Sequence, residues 1–187
     1  MSAPDPRLRS HPAFKSLDDA ELQILSSVLR PSDYAAGATI CREGDPGRSC
    51  YFVTSGEVDV LKAIDGQSER VLFTLRAGDV FGQVSLIDPG SRSATCRAKK
   101  PVTAFQLDRQ DFDMLFNSGS RFALRFQLAL ARVAVGQLRE ANRRLNLLLA
   151  SAKPRSSETE RHRALREVQD ILARTDSQAS DAIRWID

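Results

Sequence analysis

Histidine and cysteine are scarce in this sequence. Its 187 residues include two histidines, His11 and His162, and three cysteines, Cys41, Cys50 and Cys96. An odd number of cysteines without close pair spacing fits reduced thiols better than a disulfide framework or a zinc site, and no metal is expected. Long apolar runs are missing too: no uninterrupted stretch reaches the roughly 18 residues that a membrane helix needs. The N-terminal MSAPDPRLRSHPAFKSL has no apolar h-region, so export is not expected and the cytoplasm is the expected location. Charge of one sign is also in short supply. A net charge of +3 is too small to argue for a nucleic-acid partner. What is present, 42% apolar and 27% charged residues, is ordinary globular composition, with room for one domain and an added helical element.

Three zones follow one another along the chain. Residues 13–31 carry Phe14, Leu17, Leu22, Ile24, Leu25 and Leu29 at helical spacing. Ser16 or Asp18 is placed to cap this helix, and Pro31 to stop it. From residue 34 to 107 the period changes to short runs of β-formers: TIC, CYFVT, EVDVLKA, RVLFTL, ATCRA and PVTAFQL. Gly37, Gly44, Gly47, Gly56, Gly66, Gly78 and Gly90 divide them, supplying turns with positive φ, and Asp65-Gly66 reads as a hairpin turn. About eight strands at this spacing imply a β-sandwich or barrel of jelly-roll type, so the fold class expected is mainly β with flanking helices.

After residue 111 the sequence turns helical, with no proline before residue 154. Leu124, Leu128, Ala131, Val135, Leu138, Asn142, Leu145 and Leu149 recur at alternating steps of four and three, the seam of a coiled coil. A helix over residues 120–150, about 45 Å long at 1.5 Å per residue, is therefore expected to pair with a copy of itself. Asn142 in the seam would fix register. A second stripe, Phe122, Phe126, Ala129 and Val133, occupies another face of the first half, as packing on the β-domain requires. The alternative is a single long helix folded back in a monomeric bundle. The chain thus divides into an N-terminal arm (1–12), a β-domain with its helix (13–118), a dimerisation helix (119–150) and a linker with a helical tail (151–187). In the tail, Leu165, Val168, Ile171 and Leu172 share one face.

One stretch, FGQVSLIDPGSRSATCRA at residues 81–98, asks for more than a structural reading. It delivers one arginine, Arg92, directly before small residues and a strand. Arginine offers a planar fork of charged donors that fits two oxygens of one anion, where lysine offers a point charge. A helix opening at Gly82 would present free N–H groups toward the same anion, and glycine there lets backbone approach a ligand without a Cβ in the way.

Taken together, YAAGATICREGDPG, YFVTSGEVDVL, LRAGDVFGQVSLID and RSATCRA, in this order, resemble a cyclic-nucleotide-binding domain. That is the eight-stranded jelly roll, or double-stranded β-helix, of bacterial catabolite-activator regulators, protein kinase regulatory subunits and cyclic-nucleotide-gated channels. The resemblance spans about residues 13–150. It implies that FGQVSLID is the short helix of a phosphate-binding cassette, and that Gly82, Gln83, Val84, Ser85, Arg92, Ser93 and Ala94 contact a cyclic nucleotide, cAMP or cGMP. It also implies that Val60, Leu72 and Val84 line the apolar side of the pocket near ribose and base. No cofactor beyond this ligand is implied.

Two departures from the family pattern bear on function. The residue after the cassette glycine is usually glutamate, which accepts from the ribose 2′-hydroxyl; here it is Gln83. A neutral acceptor is weaker by about 1 kcal/mol or somewhat more, implying up to roughly tenfold lower affinity, although it also removes repulsion against the ligand phosphate. Second, regulators of this type follow the long helix with a winged helix-turn-helix. The 37 residues after Ala150 hold one credible helix, so no direct DNA binding is expected. The functional expectation is a regulatory module, a homodimer signalling to a protein partner. Its alternative is the same fold as an interaction module that binds no nucleotide. An enzyme is not expected: metal-dependent jelly rolls of the cupin type need several histidines on the barrel strands, and His11 and His162 both lie outside them.

Overall fold

The computed structural model describes residues 5–64, 68–87, 90–151 and 166. The N-terminal part is more ordered than a bare arm. Helix α1 (Pro6–Ser10) opens with the Asp5 carboxylate accepting from the Arg7 amide at 2.9 Å and Pro6 in its first turn, while Leu8 is buried. A 3-10 turn at Pro12–Phe14 follows. Helix α2 (Asp19–Val28) starts with a complete capping box: the Asp18 side chain accepts from the Glu21 amide, and Glu21 accepts from that of Asp18, each at 2.9 Å. Of the two candidate caps, Asp18 is therefore the one used. The helix ends at Leu29, before Pro31 is reached, because Pro31 already belongs to strand β1 (Arg30–Tyr34), an edge strand that tolerates a missing N–H.

Eight strands form two four-stranded sheets. Strands β1, β8 (Val102–Asp108), β3 (Ser49–Ser55) and β6 (Val80–Phe81) make one, in that order. Strands β2 (Thr39–Cys41), β7 (Thr95–Ala98), β4 (Glu57–Ile64) and β5 (Ser68–Arg76) make the other. All pairings are antiparallel, and the arrangement is the expected jelly roll. Six of the strands coincide with the β-forming runs; β1 and β6 were not anticipated.

Two apolar layers hold the domain. Tyr51, Val53, Val58, Val60, Phe81 and Cys96 are among those that fill the space between the sheets. The other layer packs the N-terminal helices and the long helix α5 (Arg121–Ser151) on the outer face of the first sheet. Phe14 and Phe52 meet there at 4.7 Å between ring centroids, and Phe126 of α5 stands 6.5 Å from Phe52. Burying each such ring is worth roughly 1.5–3 kcal/mol. Of the apolar stripe expected to face the β-domain, Phe122, Phe126 and Ala129 are buried and Val133 packs against this layer; Leu130 joins them. Helix α4 (Arg109–Asn117) links β8 to α5.

The chain forms two units, residues 1–140 and 141–187. Within the first, the seam residues Leu124, Leu128, Val135 and Leu138 are exposed; within the second, so are Leu145 and Leu149. The turn Asp65-Gly66, Asp88 and Pro89 of the cassette, and the tail residues Leu165, Val168, Ile171 and Leu172 lie outside the described residues.

A candidate anion site around Arg92

Strand β6 ends at Phe81, and Gly82 then turns the chain at φ +76°. Helix α3 (Val84–Ile87) follows, four residues long. It begins two residues later than the sequence suggests, because Gly82 is left-handed and Gln83 sits in the turn whose carbonyl accepts from the Leu86 amide at 3.1 Å. A single turn has almost no macrodipole, so an anion here depends on Arg92 and on local N–H groups rather than on a helix end.

Arg92 is positioned from the opposite side. Its amide donates to the Asp45 carbonyl at 2.7 Å and its carbonyl accepts from Gly44 at 2.9 Å, while Gly47 donates to Gly90 at 3.0 Å. The loop 44–47 thus clamps residues 90–92 and aims the side chain inward. Gly47 was expected to supply positive φ and does not; it is there for space, since a Cβ on it would lie 2.1 Å from Ser85 Oγ.

Arg92 is 6% exposed. Nη2 donates to Ser49 Oγ at 3.0 Å, and Nη1 to the Gly82 carbonyl at 3.3 Å and to Ser85 Oγ at 3.4 Å. Cζ stands 5.9 Å from the Tyr51 ring centroid. All these partners are neutral, and two of the bonds are long. Among the described residues no carboxylate lies within ion-pair distance of Arg92. A buried cation normally pairs with an anion, because desolvation of the charge is otherwise uncompensated.

Gln83 points elsewhere. It is buried, and its Nε2 donates to Gln137 Oε1 on α5 at 2.5 Å, while Gln137 Nε2 donates to the Val80 carbonyl at 2.5 Å. Two amides therefore clasp the long helix to both ends of the β6–α3 turn.

The other sequence candidates divide. Gly82 and Ser85 touch Arg92 directly. Val60 and Ala94 belong to the layer between the sheets. Val84 is 65% exposed on α3, and the Ser93 side chain is exposed while its carbonyl accepts from Lys62 Nζ at 2.8 Å. Leu72 is exposed at an irregularity of β5, where Val60 pairs with Phe73 and Leu61 with Val71, leaving Leu72 unopposed. Ser49 and Tyr51 were not anticipated as site residues; they precede Arg92 by about forty positions, and only the sheet brings them together. Among the described residues no group of histidine, cysteine and carboxylates could hold a metal, and no helix is long and apolar enough to cross a membrane.

Comparison with known proteins agrees with the fold. The family model described as cyclic nucleotide-binding domain matches residues 31–118. A cyclic AMP receptor protein of Thermus thermophilus is 33% identical over 141 residues, covering 75% of this chain and 63% of that protein. A CRP-like cAMP-activated global transcriptional regulator of Mycobacterium tuberculosis is 27% identical over 173 residues, covering 91% of this chain and 71% of the regulator. The crystal structure of the N-terminal domain of a transcriptional regulator from Streptomyces coelicolor superposes with a TM-score of 0.58 at 32% identity, covering 74% of this chain and 96% of that domain.

Proposed function

Because the chain belongs to the cyclic nucleotide-binding domain family, we propose that it senses a cyclic purine nucleotide, cAMP or cGMP, whose cyclic phosphate enters beside Arg92. The observation that carries this reading is the buried guanidinium with neutral partners alone. A cyclic phosphate is a compact monoanion with two free oxygens. It would replace the long bonds from the guanidinium to the neutral Gly82 and Ser85 oxygens with a short, bidentate pair to an anion, in which donor and acceptor are both charged. The relatives named for cAMP favour that ligand first. The role is binding and signalling, with no catalysis.

Signalling would pass through Gln83. Gln83 Nε2 donates to Gln137 while its Oε1 is the atom a ribose hydroxyl would donate to, so a nucleotide that turns this amide toward the ribose would draw Nε2 off Gln137, release one half of the amide clasp on α5 and shift the helix between two packings. The exposed seam on α5 supports a homodimer as the receiver of that shift, and a protein partner would read the dimer. One observation favours the second reading, an interaction module without nucleotide: the Gln83 amide is turned toward α5 by the bond from its Nε2 to Gln137. Titration calorimetry with cAMP, cGMP and 5′-AMP separates the two. The sensor binds a cyclic ligand and discriminates against 5′-AMP; the interaction module gives no binding heat with any of them.

A further inference from the structure

Two of the three cysteines face each other. Strand β2 pairs antiparallel with β7 so that Cys41 stands opposite Cys96, with a bulge between Thr39 and Cys41 that brings the two into register. Both are free thiols; Cys96 is buried and Cys41 half-buried. We propose that Cys41 and Cys96 form a peroxide-oxidisable dithiol that closes into an intramolecular cross-strand disulfide. The proposal stands apart from the nucleotide reading.

Three features of the site carry it. Directly opposed residues in an antiparallel pair have Cβ atoms about 4.5–5.5 Å apart, and a disulfide needs about 3.5–4.5 Å. The closure required is about 1 Å, and β2 can supply it, being a three-residue strand at the edge of its sheet. Cys41 has an exposed side for a small oxidant, and Cys96 is the resolving thiol already in contact with it. Four groups face Cys41: Cys96, the Arg92 guanidinium, Asp45 and Tyr34. The Cys96 S–H donates to the Cys41 sulfur and Arg92 adds a positive field. Against burial and Asp45, these hold the Cys41 thiol down at about 7. Cys96 is pushed up, by that same hydrogen bond first and by burial second, so the pair is divided into one nucleophile and one proton donor. The third thiol, Cys50 on β3, is fully buried and pushed up by desolvation, and serves as an inert internal reference.

The chemistry balances with hydrogen peroxide as the oxidant. The Cys41 thiolate attacks one peroxide oxygen, the O–O bond breaks, and a sulfenic acid forms with release of hydroxide. The Cys96 proton goes to that hydroxide to give one water, the Cys96 thiolate attacks the Cys41 sulfur, and the S–O bond breaks to release a second hydroxide, which takes up the proton that Cys41 gave to solvent on ionising and becomes the second water. Two thiols lose two electrons and two protons, and one peroxide becomes two waters.

The test is peptide mapping of the full chain after brief hydrogen peroxide treatment and alkylation of the remaining thiols. The expected product is a mass loss of two hydrogens, a linked pair of peptides carrying Cys41 and Cys96, and Cys50 recovered alkylated after unfolding. The alkylation rate of Cys41 should rise with pH around a midpoint near 7 rather than the usual thiol value of about 8.5. In Cys96→Ala, oxidation should stop at a Cys41 sulfenic acid that dimedone traps. Peroxide that leaves Cys41 reduced, that oxidises Cys50 as readily, or that links chains to one another overturns the proposal. The wild-type peptide map decides the matter even if Cys96→Ala does not fold.

Discussion

Replacing Gly82 with alanine strikes the site at its tightest point. The residue holds φ +76°, a conformation that costs an L-residue about 1–2 kcal/mol. Its new Cβ would lie 2.8 Å from the Ser49 carbonyl and 2.4 Å from Arg92 Nη1. The carbonyl belongs to the backbone of β3, where Ser49 pairs with Asp108, so it cannot withdraw cheaply. The guanidinium must therefore give way, and it leaves behind bonds to Gly82, Ser85 and Ser49 of which each charge-assisted one is worth about 1.5–3 kcal/mol. Counting the backbone strain and one such bond, the variant should lose about 3 kcal/mol. For a chain of this size that lowers Tm by roughly 6–12 °C. Gly90→Ala is the control: a Cβ there meets nothing within 4 Å and its φ is not positive, so its change should stay within about 0.5 kcal/mol. Thermal unfolding followed by circular dichroism reads both. A Gly82→Ala chain that melts with wild type would refute the argument that backbone and guanidinium are packed in contact here.

Three further outcomes follow from particular residues. Burial lowers the His11 pKa against a smaller opposing effect of Asp79, so the fold holds this ring neutral while the unfolded chain takes a proton near pH 6.5. Stability should therefore fall as pH drops below about 6.5, and urea melts of His11→Phe should show a shallower loss; equal slopes would contradict it. Gln83→Glu should bind cyclic nucleotide about tenfold more tightly than wild type by calorimetry, and a 2′-deoxy ligand should lose that gain; an unchanged affinity means the side chain stays with Gln137. Charging the exposed seam with Leu138→Glu and Leu145→Glu should convert a sedimenting dimer to monomer, since burying each leucine contributes about 1.5–3 kcal/mol; a wild type that is monomeric at micromolar concentration contradicts the paired helix.

Local chemistry made much of this molecule legible. The capping box Asp18–Glu21, the alternating runs of six strands and the apolar stripe of α5 are each written within one element. Strand β1, RPSDY, has no β-forming pattern, and its pairing with β8 from Arg30↔Gln106 to Tyr34↔Val102 is imposed by the sheet. Strand β6 is two residues long, too short for any period. Helix α1 was readable in principle, since Asp5-Pro6 is a helix-start signal, but five residues without a periodic face looked like an arm. At the site, Arg92 and Gly82 could be found because arginine and glycine have special chemistry. The Gln83–Gln137 contact spans 54 positions and exists only because α5 docks beside β6, and nothing local marks Ser49 as the oxygen under the guanidinium.

The most direct test of the account is a pair of calorimetric titrations with cAMP and cGMP, one of wild type and one of Arg92→Ala, the variant first shown by circular dichroism to be folded. The account predicts that wild type binds a cyclic nucleotide with one site per chain. It predicts that the variant loses about 2–4 kcal/mol of that binding, roughly 30-fold to 1,000-fold in Kd. Equal affinity in the two proteins, or no binding of either nucleotide to wild type, would contradict it.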